Sequence, residues 1–201
     1  MYAYISGTLS DVNKDSVVID NNGIGYEIYV SELLTTHLPV VGSEVKLYTY
    51  LHVTENGQTL YGFLSKSEKN MFLLLIGVNS VGPKSALAIL SILEVEDLKF
   101  AILSEDRKTL TKASGIGDKA AQRIIIDLKD KISVEDAFEE KLAKSENAED
   151  VVANEAKSDA VLALNALGYA NTEILKAISK IENIKDLDTQ GIIKAALSLM
   201  H

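Results

Sequence analysis

The first third of the chain contains runs rich in β-branched and aromatic residues, which are typical of β-strands, where side chains point to alternate faces with a period of two. Turn signals rich in glycine, asparagine and proline separate five such runs. The predicted strands are residues 2–9, 16–20, 25–30, 44–53 and 59–63. A short helix over residues 31–38, with Ser31 as its N-cap, lies between the third and fourth strands. This order predicts an OB-fold β-barrel over residues 1–63, although a five-stranded SH3-like barrel would give much the same pattern.

After residue 64 the apolar spacing changes to three or four residues, which is typical of amphipathic helices. The pattern predicts a central all-α domain over residues 64–132, with helices at 66–77, 83–93, 95–104, 106–113 and 119–132. Residues 133–154 are rich in acidic side chains and alanine and poor in bulky apolar residues. We therefore expect an acidic flexible linker there without a packed element, although a helix over residues 137–143 stays open.

The last segment, residues 155–201, predicts three short helices at 155–166, 172–180 and 189–200. Gly168 follows the first of them at the C-cap place. Asn171 or Thr172 is predicted to cap the second helix, and Asp188 or Thr189 the third. Such a small three-helix (UBA-like) core is typical of a protein-docking module. The whole chain is therefore predicted to be an α+β protein of several domains.

Two glycine-containing turns in the central domain repeat each other at an offset of 35 residues. The first reads Ser80-Val81-Gly82-Pro83-Lys84 and the second Gly115-Ile116-Gly117-Asp118-Lys119. Glycine leaves room beside the backbone, the next helix offers N–H groups, and lysine adds a mobile positive charge. The pair therefore predicts tandem helix-hairpin-helix motifs that bind DNA phosphates without reading the bases.

The residues predicted to bind the DNA backbone come from both turns and from the helix that follows the second. They are Ser80, Val81, Gly82, Lys84, Gly115, Ile116, Gly117, Lys119 and Arg123. Arg123 lies four residues after Lys119 and so on the same helix face. Asp118 is unfavourable beside a phosphate, although carboxylates also stabilise helix N-termini.

The charge distribution allows DNA binding, but it changes the kind of binding that we expect. The chain of 201 residues has a formal net charge of −9, which by itself argues against nucleic acid. Residues 63–131, however, carry 11 basic and 9 acidic side chains, whereas residues 1–62 carry 2 and 7. We therefore expect DNA affinity to rest on placed phosphate contacts more than on a broad positive field.

Other chemistry finds little support in the sequence. The chain has no cysteine, and His37, His52 and His201 are far apart, so neither a disulfide, a metal site nor a cofactor is expected. No Walker-type loop and no catalytic residue are predicted. The longest apolar run, residues 71–78, is far shorter than the roughly 20 residues of a membrane span. We expect a cytoplasmic protein.

The predicted tip between the last two strands is Glu55-Asn56-Gly57. Asn-Gly is a favoured two-residue hairpin turn and needs no functional explanation. An exposed carboxylate at such a tip would nevertheless repel phosphates, so the tip could also act as a spacer.

Several local strings resemble the RuvA family, whose members bind Holliday junctions in the bacterial RuvAB branch-migration complex. They are Gly23-Ile24-Gly25-Tyr26-Glu27, Leu60-Tyr61-Gly62-Phe63, Gly82-Pro83-Lys84, Gly115-Ile116-Gly117 and Ala166-Leu167-Gly168-Tyr169. The resemblance implies a homotetramer, or an octamer of two facing tetramers, that holds four-way DNA open as a square. In this family two hairpins of each subunit grip the duplex backbone across the minor groove.

The resemblance also implies the partners. Residues 155–201 would dock on RuvB, the hexameric ATPase, with Leu167 and Tyr169 at the contact, and the RuvC resolvase is a further candidate partner. Hydrolysis would belong to RuvB, so the chain itself would not be an enzyme. Two alternatives stay open: a helix-hairpin-helix DNA repair enzyme, and a protein scaffold in which both hairpins are only structural.

Three positions depart from the family pattern. The family carries two acidic residues on a pin at the junction centre, where this chain has Glu55 and Asn56. Ser80 stands where glycine is frequent, and Asp118 where lysine is common. These departures predict weaker junction binding than in a more basic relative.

Overall fold

The computed structural model of the chain describes residues 1–55, 57–134, 137–138 and 148–200. Two compact units emerge, Met1–Val95 with Thr111–Ala120, and Glu96–Leu110 with Ala121–His201. Among the described residues, no helix is long and apolar enough to cross a membrane.

Five strands form a closed barrel at the start of the first unit. They are β1 Tyr4–Val12, β2 Ser16–Asn21, β3 Ile24–Tyr29, β4 Glu44–Thr54 and β5 Gly57–Phe63. Neighbouring strands run antiparallel in the order β1-β2-β3-β5-β4, except that β3 and β5 are parallel, and β4 closes the barrel on β1. Helix α1, Glu32–Thr36, follows β3. The OB-fold prediction is confirmed.

The interior of the barrel is filled by one face of each strand. Leu9, Ile19, Ile28 and Leu47 are fully buried, as the period of two predicts. At Gly62 the packing leaves no room for a side chain, since a Cβ there would lie 2.5 Å from Ile28 Cγ2.

Helices α2, Lys66–Ile76, and α3, Pro83–Leu90, also belong to the first unit. Ser65 and Glu68 form a capping box at the start of α2, in which Ser65 Oγ accepts from the Glu68 N–H at 3.0 Å. Phe72 of α2 stacks on the outer face of the barrel, with its ring 4.9 Å from that of Phe63 and 5.3 Å from that of Tyr61. This aromatic contact fixes α2 on the barrel and so positions the turn that follows.

The remaining helices are α4 Val95–Leu103, α5 Arg107–Leu110, α6 Asp118–Leu128, α7 Ala148–Ala166, α8 Asn171–Ile178 and α9 Thr189–Leu199. A 3₁₀ turn, Lys129–Lys131, extends α6, and another, Ile184–Asp186, precedes α9. α5 is shorter than predicted. Its N-terminus is fixed by Asp106, whose carboxylate accepts from the Thr109 N–H at 3.2 Å.

The predicted caps give a mixed result. Ser31 accepts from the Leu34 N–H at 3.1 Å and Asp188 from the Gly191 N–H at 2.8 Å, so both predicted N-caps are confirmed. The cap of α8 is Ala170, without a side-chain bond, so the prediction of Asn171 or Thr172 is wrong. The helix simply begins one residue earlier than its polar residues suggest.

The expected linker over residues 133–154 is partly packed. Val134, Ala137 and Phe138 are buried, and the Phe138 ring lies 4.8 Å from that of Phe100 on α4. α7 begins at Ala148, seven residues before the predicted start. The expectation of no packed element is therefore wrong for these residues, because a few apolar side chains among the acidic ones find partners distant in sequence. Most of the open helix at 137–143 lies outside the described residues.

Candidate nucleic-acid interface

The two predicted hairpin turns have the same backbone conformation. Ser80 has φ +76° and Gly115 has φ +80°, both in the left-handed region. One residue later the N–H of Val81 donates to the Val78 carbonyl at 3.0 Å, and that of Ile116 to the Ala113 carbonyl at 3.1 Å. The offset of 35 residues seen in the sequence is therefore a structural repeat.

A buried aliphatic side chain anchors each turn. Val81 is 4% exposed and Ile116 is 5% exposed. Both residues were predicted to bind the DNA backbone, but their side chains point into the protein core. Their N–H groups already donate within the turn, so these two residues anchor the turn and offer no free donor to a ligand.

The glycine at the third position of each turn, Gly82 or Gly117, has no structural explanation within the described residues. No heavy atom lies within 4 Å of a Cβ built at Gly82 or Gly117, and neither residue has a positive φ. Gly62 of the barrel is the opposite case, because packing forbids a side chain there. The bare backbone at Gly82 and Gly117 leaves space in which a ligand could approach the main chain closely.

Each turn leads into a helix N-terminus that carries an exposed lysine. Gly82 is the N-cap of α3 and makes no side-chain bond, and Lys84 is the second helical residue. α6 begins at Asp118, and Lys119 is its second residue. N–H groups in a first helical turn have no acceptor within the helix, and the helix dipole makes this end positive. Both turns thus combine the groups that bind a phosphate.

The remaining predicted residues take different positions. Ser80 and Gly115 are exposed at the left-handed position of each turn, and Arg123 is exposed on α6, four residues beyond Lys119. The two turns belong to the same compact unit as the barrel. The structure thus assigns both turns to one unit that also contains the β4–β5 hairpin.

Glu55 is exposed at the tip of the β4–β5 hairpin. The strands pair up to Thr54 and Gly57, and the Thr54 hydroxyl donates to the Gly57 carbonyl at 3.2 Å. Gly57 therefore begins β5, and the prediction of an Asn-Gly turn centre is wrong by one residue. Asn56 lies outside the described residues.

In the C-terminal module, Leu167 and Tyr169 flank the turn after α7. Gly168 has φ +93° and ends the helix, since its N–H donates to the Asn165 carbonyl at 2.8 Å and that of Tyr169 to the Leu164 carbonyl at 3.2 Å. This pair of bonds is a Schellman motif and confirms the predicted glycine cap. Leu167 is 65% exposed, whereas Tyr169 is half-buried.

A charged cluster around Glu105 was not predicted. Glu105 ends α4 with φ +55°, and its carboxylate accepts from Lys176 Nζ at 2.9 Å and lies 3.8 Å from Lys129 Nζ. The hydrogen bond from Lys176, and then the charges of Lys176, Lys129 and Arg107, hold the pKa of this carboxyl below its usual value. Among the described residues, no group of three His, Cys, Asp or Glu side chains could hold a metal ion.

Three family descriptions match successive parts of the chain: "RuvA N terminal domain" over residues 1–62, "SAM-like Helix-hairpin-helix tandem" over 72–130 and "RuvA, C-terminal domain" over 155–201. Similar proteins named "Holliday junction branch migration complex subunit RuvA" come from several bacteria. That of Clostridium botulinum is 46% identical and covers 100% of this chain and 99% of its own length. Those of Acetivibrio thermocellus and Lachnospira eligens are 45% and 43% identical, each covering 98% of this chain and 97% of their own.

Proposed function

Because the chain belongs to the RuvA family, we propose that it binds Holliday junctions and holds the four DNA arms open in a square-planar form. In this role it recruits the RuvB ATPase for branch migration during DNA recombination and repair. The protein contributes DNA binding and geometry, and the partner contributes ATP hydrolysis. The chain itself is then not an enzyme.

The observation that carries the proposal is the repeated turn. Two copies share a left-handed residue, a buried aliphatic anchor, a glycine with open space above it and an exposed lysine. Nothing in the described fold needs glycine at position 82 or 117, whereas a DNA phosphate at the helix N-terminus does. Two such turns on one subunit bind the DNA backbone at two points and therefore orient a duplex without reading its sequence.

The proposed DNA-backbone residues are those predicted from the sequence, with one refinement. Gly82, Gly117, Ser80 and Gly115 act through exposed main chain, while Lys84, Lys119 and Arg123 act through their charges. Val81 and Ile116 act by anchoring the turns, since their side chains are buried and their N–H groups donate within the protein. Ser80 adds a hydroxyl that can also donate to a phosphate.

A DNA junction with four arms is matched by a four-fold arrangement of subunits. We propose a homotetramer, with an octamer of two tetramers as the alternative, in which each subunit holds part of one arm. The exposed Glu55 of each copy would lie at the crossover and repel the central phosphates. Asn56 beside it would contribute no charge to this pin.

The predicted domain division supplies the other roles. Residues 1–63 carry the pin, residues 64–132 grip DNA, residues 133–154 connect, and residues 155–201 dock on RuvB. Leu167, exposed beside the Gly168 turn, is the proposed centre of that docking surface with Tyr169 next to it. RuvC is a further proposed partner, and the cytoplasm is the proposed location.

A gel-shift comparison of a four-way junction with a linear duplex of equal length tests the proposal. We expect preference for the junction, and sedimentation of the complex at a mass of four or eight chains. Equal affinity for both DNAs, bound by a single chain, would overturn it. Incubation of the same junction without RuvB should leave every strand intact, whereas strand cleavage would favour the repair-enzyme alternative.

Charge reversal separates DNA binding from a purely structural role of the hairpins. Lys84→Glu combined with Lys119→Glu should abolish junction binding while the protein stays folded by circular dichroism. Lys180→Glu combined with Lys194→Glu is the matched control, because it makes the same change in net charge at exposed sites in the C-terminal module. Unchanged binding in the hairpin variant, or equal loss in the control, would favour the scaffold alternative.

A further inference from the structure

The C-terminal module lies against α4 within the second compact unit. Phe100 of α4 stacks edge-on against Phe138. Around this pair lies a cavity of about 260 Å³, partly open to solvent, whose apolar lining comes from α4, Phe138, α8 and the segment after α8. The apolar lining residues are Phe100, Phe138, Leu175, Ile178, Ile181 and Ile184.

The size of the cavity bears on how firmly the module is held. A close-packed interface leaves few gaps larger than a water molecule at its centre. An apolar contact that leaves a cavity of this size loses many of the atom pairs that a close-packed interface would make. The apolar part of the contact is therefore weak enough for polar groups to influence the balance between docked and released states.

Glu105 joins three separate elements at the edge of this contact. Its carboxylate binds Lys176 of α8 and lies close to Lys129 of the 3₁₀ turn after α6. Arg107 of α5 lines the same surface depression. Glu105 also adopts a left-handed conformation at the end of α4, where its N–H donates to the Ile102 carbonyl at 3.1 Å. Glycine usually fills such a position, so a residue with a side chain there carries a conformational cost.

We propose that Glu105 is an electrostatic latch that holds the C-terminal module in a docked state on α4, from which the module is released when the latch is broken. The occupant of the α4 surface is then a segment of this same chain, with α8 as its contact helix. The three cations around a single carboxylate give the latch a strong dependence on ionic strength. The inference stands on contacts within the second unit and does not depend on junction binding.

The latch by itself is modest. The side chains of Glu105, Lys129 and Lys176 are 38%, 42% and 49% exposed, and ion pairs of this kind change an equilibrium by about two- to fivefold.

Spin labels on a cysteine pair test the latch directly, because the chain has no native cysteine. Asp130→Cys and Lys180→Cys place labels at exposed positions on the 3₁₀ turn after α6 and beyond α8. At low salt we expect one dominant distance, the docked state. Glu105→Gln should raise the released population about two- to fivefold, and 0.5 M salt should do the same for the parent protein.

Matched variants decide whether the effect belongs to the latch. Glu182→Gln removes an exposed carboxylate elsewhere in the module and should leave the distances unchanged. Lys176→Met should reproduce Glu105→Gln and add nothing in the double variant. Identical distances in the parent and Glu105→Gln proteins, or a broad distribution in the parent at low salt, would overturn the proposal. Junction affinity, measured on the same variants, should not change, so a failure of DNA binding would count against the proposed function only.

Discussion

At the residue scale, glycine serves two different purposes in this chain. Gly62 is required by the barrel, since a Cβ would lie 2.5 Å from Ile28 Cγ2 and 3.1 Å from Leu47 Cδ1. Gly117 has open space around it and an ordinary backbone conformation. Substitution by alanine at these two positions should therefore affect different properties of the protein.

We expect Gly62→Ala to destabilise the barrel by about 1–3 kcal/mol, because the new methyl group overpacks the core. Gly117→Ala should leave the free energy of unfolding within about 0.5 kcal/mol and weaken junction binding, since the methyl group stands where a phosphate approaches. Urea unfolding and junction titration of both variants measure the two effects. Unchanged junction affinity of the Gly117→Ala protein would contradict the proposed role of Gly117 in DNA binding.

Ser80 holds a conformation that costs a non-glycine residue free energy. A left-handed φ of +76° is unfavourable by about 1–2 kcal/mol for residues with a Cβ, while glycine loses about 0.5–1 kcal/mol of extra entropy on folding. Ser80→Gly should therefore raise stability slightly, with a melting temperature about 1–3 °C higher. Ser80→Ala is the control, because it keeps the Cβ and should give no gain. A gain in both variants would mean that the hydroxyl, and not the backbone, carries the cost.

At the scale of single elements, α6 combines opposing charges at one end. Asp118 at its first position stabilises the helix dipole, but it places a carboxylate beside the proposed phosphate of the second hairpin. The first hairpin has Pro83 there and no acidic residue in its first turn. The two hairpin turns are thus similar in backbone conformation but differ in the charge at the following helix N-terminus.

Asp118→Lys should therefore tighten junction binding and steepen its loss with salt, since each added phosphate contact changes the slope of log affinity against log salt by about 0.9. The helix itself should lose about 0.3–1 kcal/mol of stability. A titration across a salt series measures the slope, and Asp130→Lys, near the C-terminal end of the same helix, makes the same charge change away from the hairpin. Equal slopes in the parent and Asp118→Lys proteins would show that position 118 does not face a phosphate.

The single elements also show which structural features can be predicted from neighbouring residues and which cannot. The order of strands, both hairpins and the caps at Ser31, Gly168 and Asp188 follow from neighbouring residues, and the structure agrees. Neighbouring residues do not predict the start of α7 at Ala148 or the burial of Phe138, because the partners of these residues lie elsewhere in the chain. The pair Glu105 and Lys176 is separated by 71 residues and leaves no local pattern. Only the position of Glu105 after a helix, where glycine is usual, could have drawn attention to it.

At the scale of the whole molecule, DNA binding has to occur against a net charge of −9. The barrel segment is strongly acidic, and the segment with both hairpins carries only a small basic excess. We therefore expect DNA affinity to depend on the few placed lysines and helix ends and not on a broad positive field. A change of charge at Glu105 should then leave junction affinity unchanged.

The pH dependence of stability provides a test of the Glu105 cluster at this scale. The hydrogen bond from Lys176, and next the charges of Lys176, Lys129 and Arg107, outweigh burial and lower the pKa of Glu105 from its ordinary value of 4.5. A carboxyl whose pKa is lowered in the folded state stabilises the fold at pH values above its ordinary pKa. This contribution to stability is lost as the pH falls through the folded-state pKa. We therefore expect the parent protein to be more stable than Glu105→Gln at pH 7, and this difference to shrink towards zero as the pH falls below 4.5. Urea unfolding of both proteins between pH 7 and pH 3 measures it, and the comparison cancels the titration of the other carboxyls they share. A difference that stays constant over this range would show that the charge of Glu105 does not stabilise the fold.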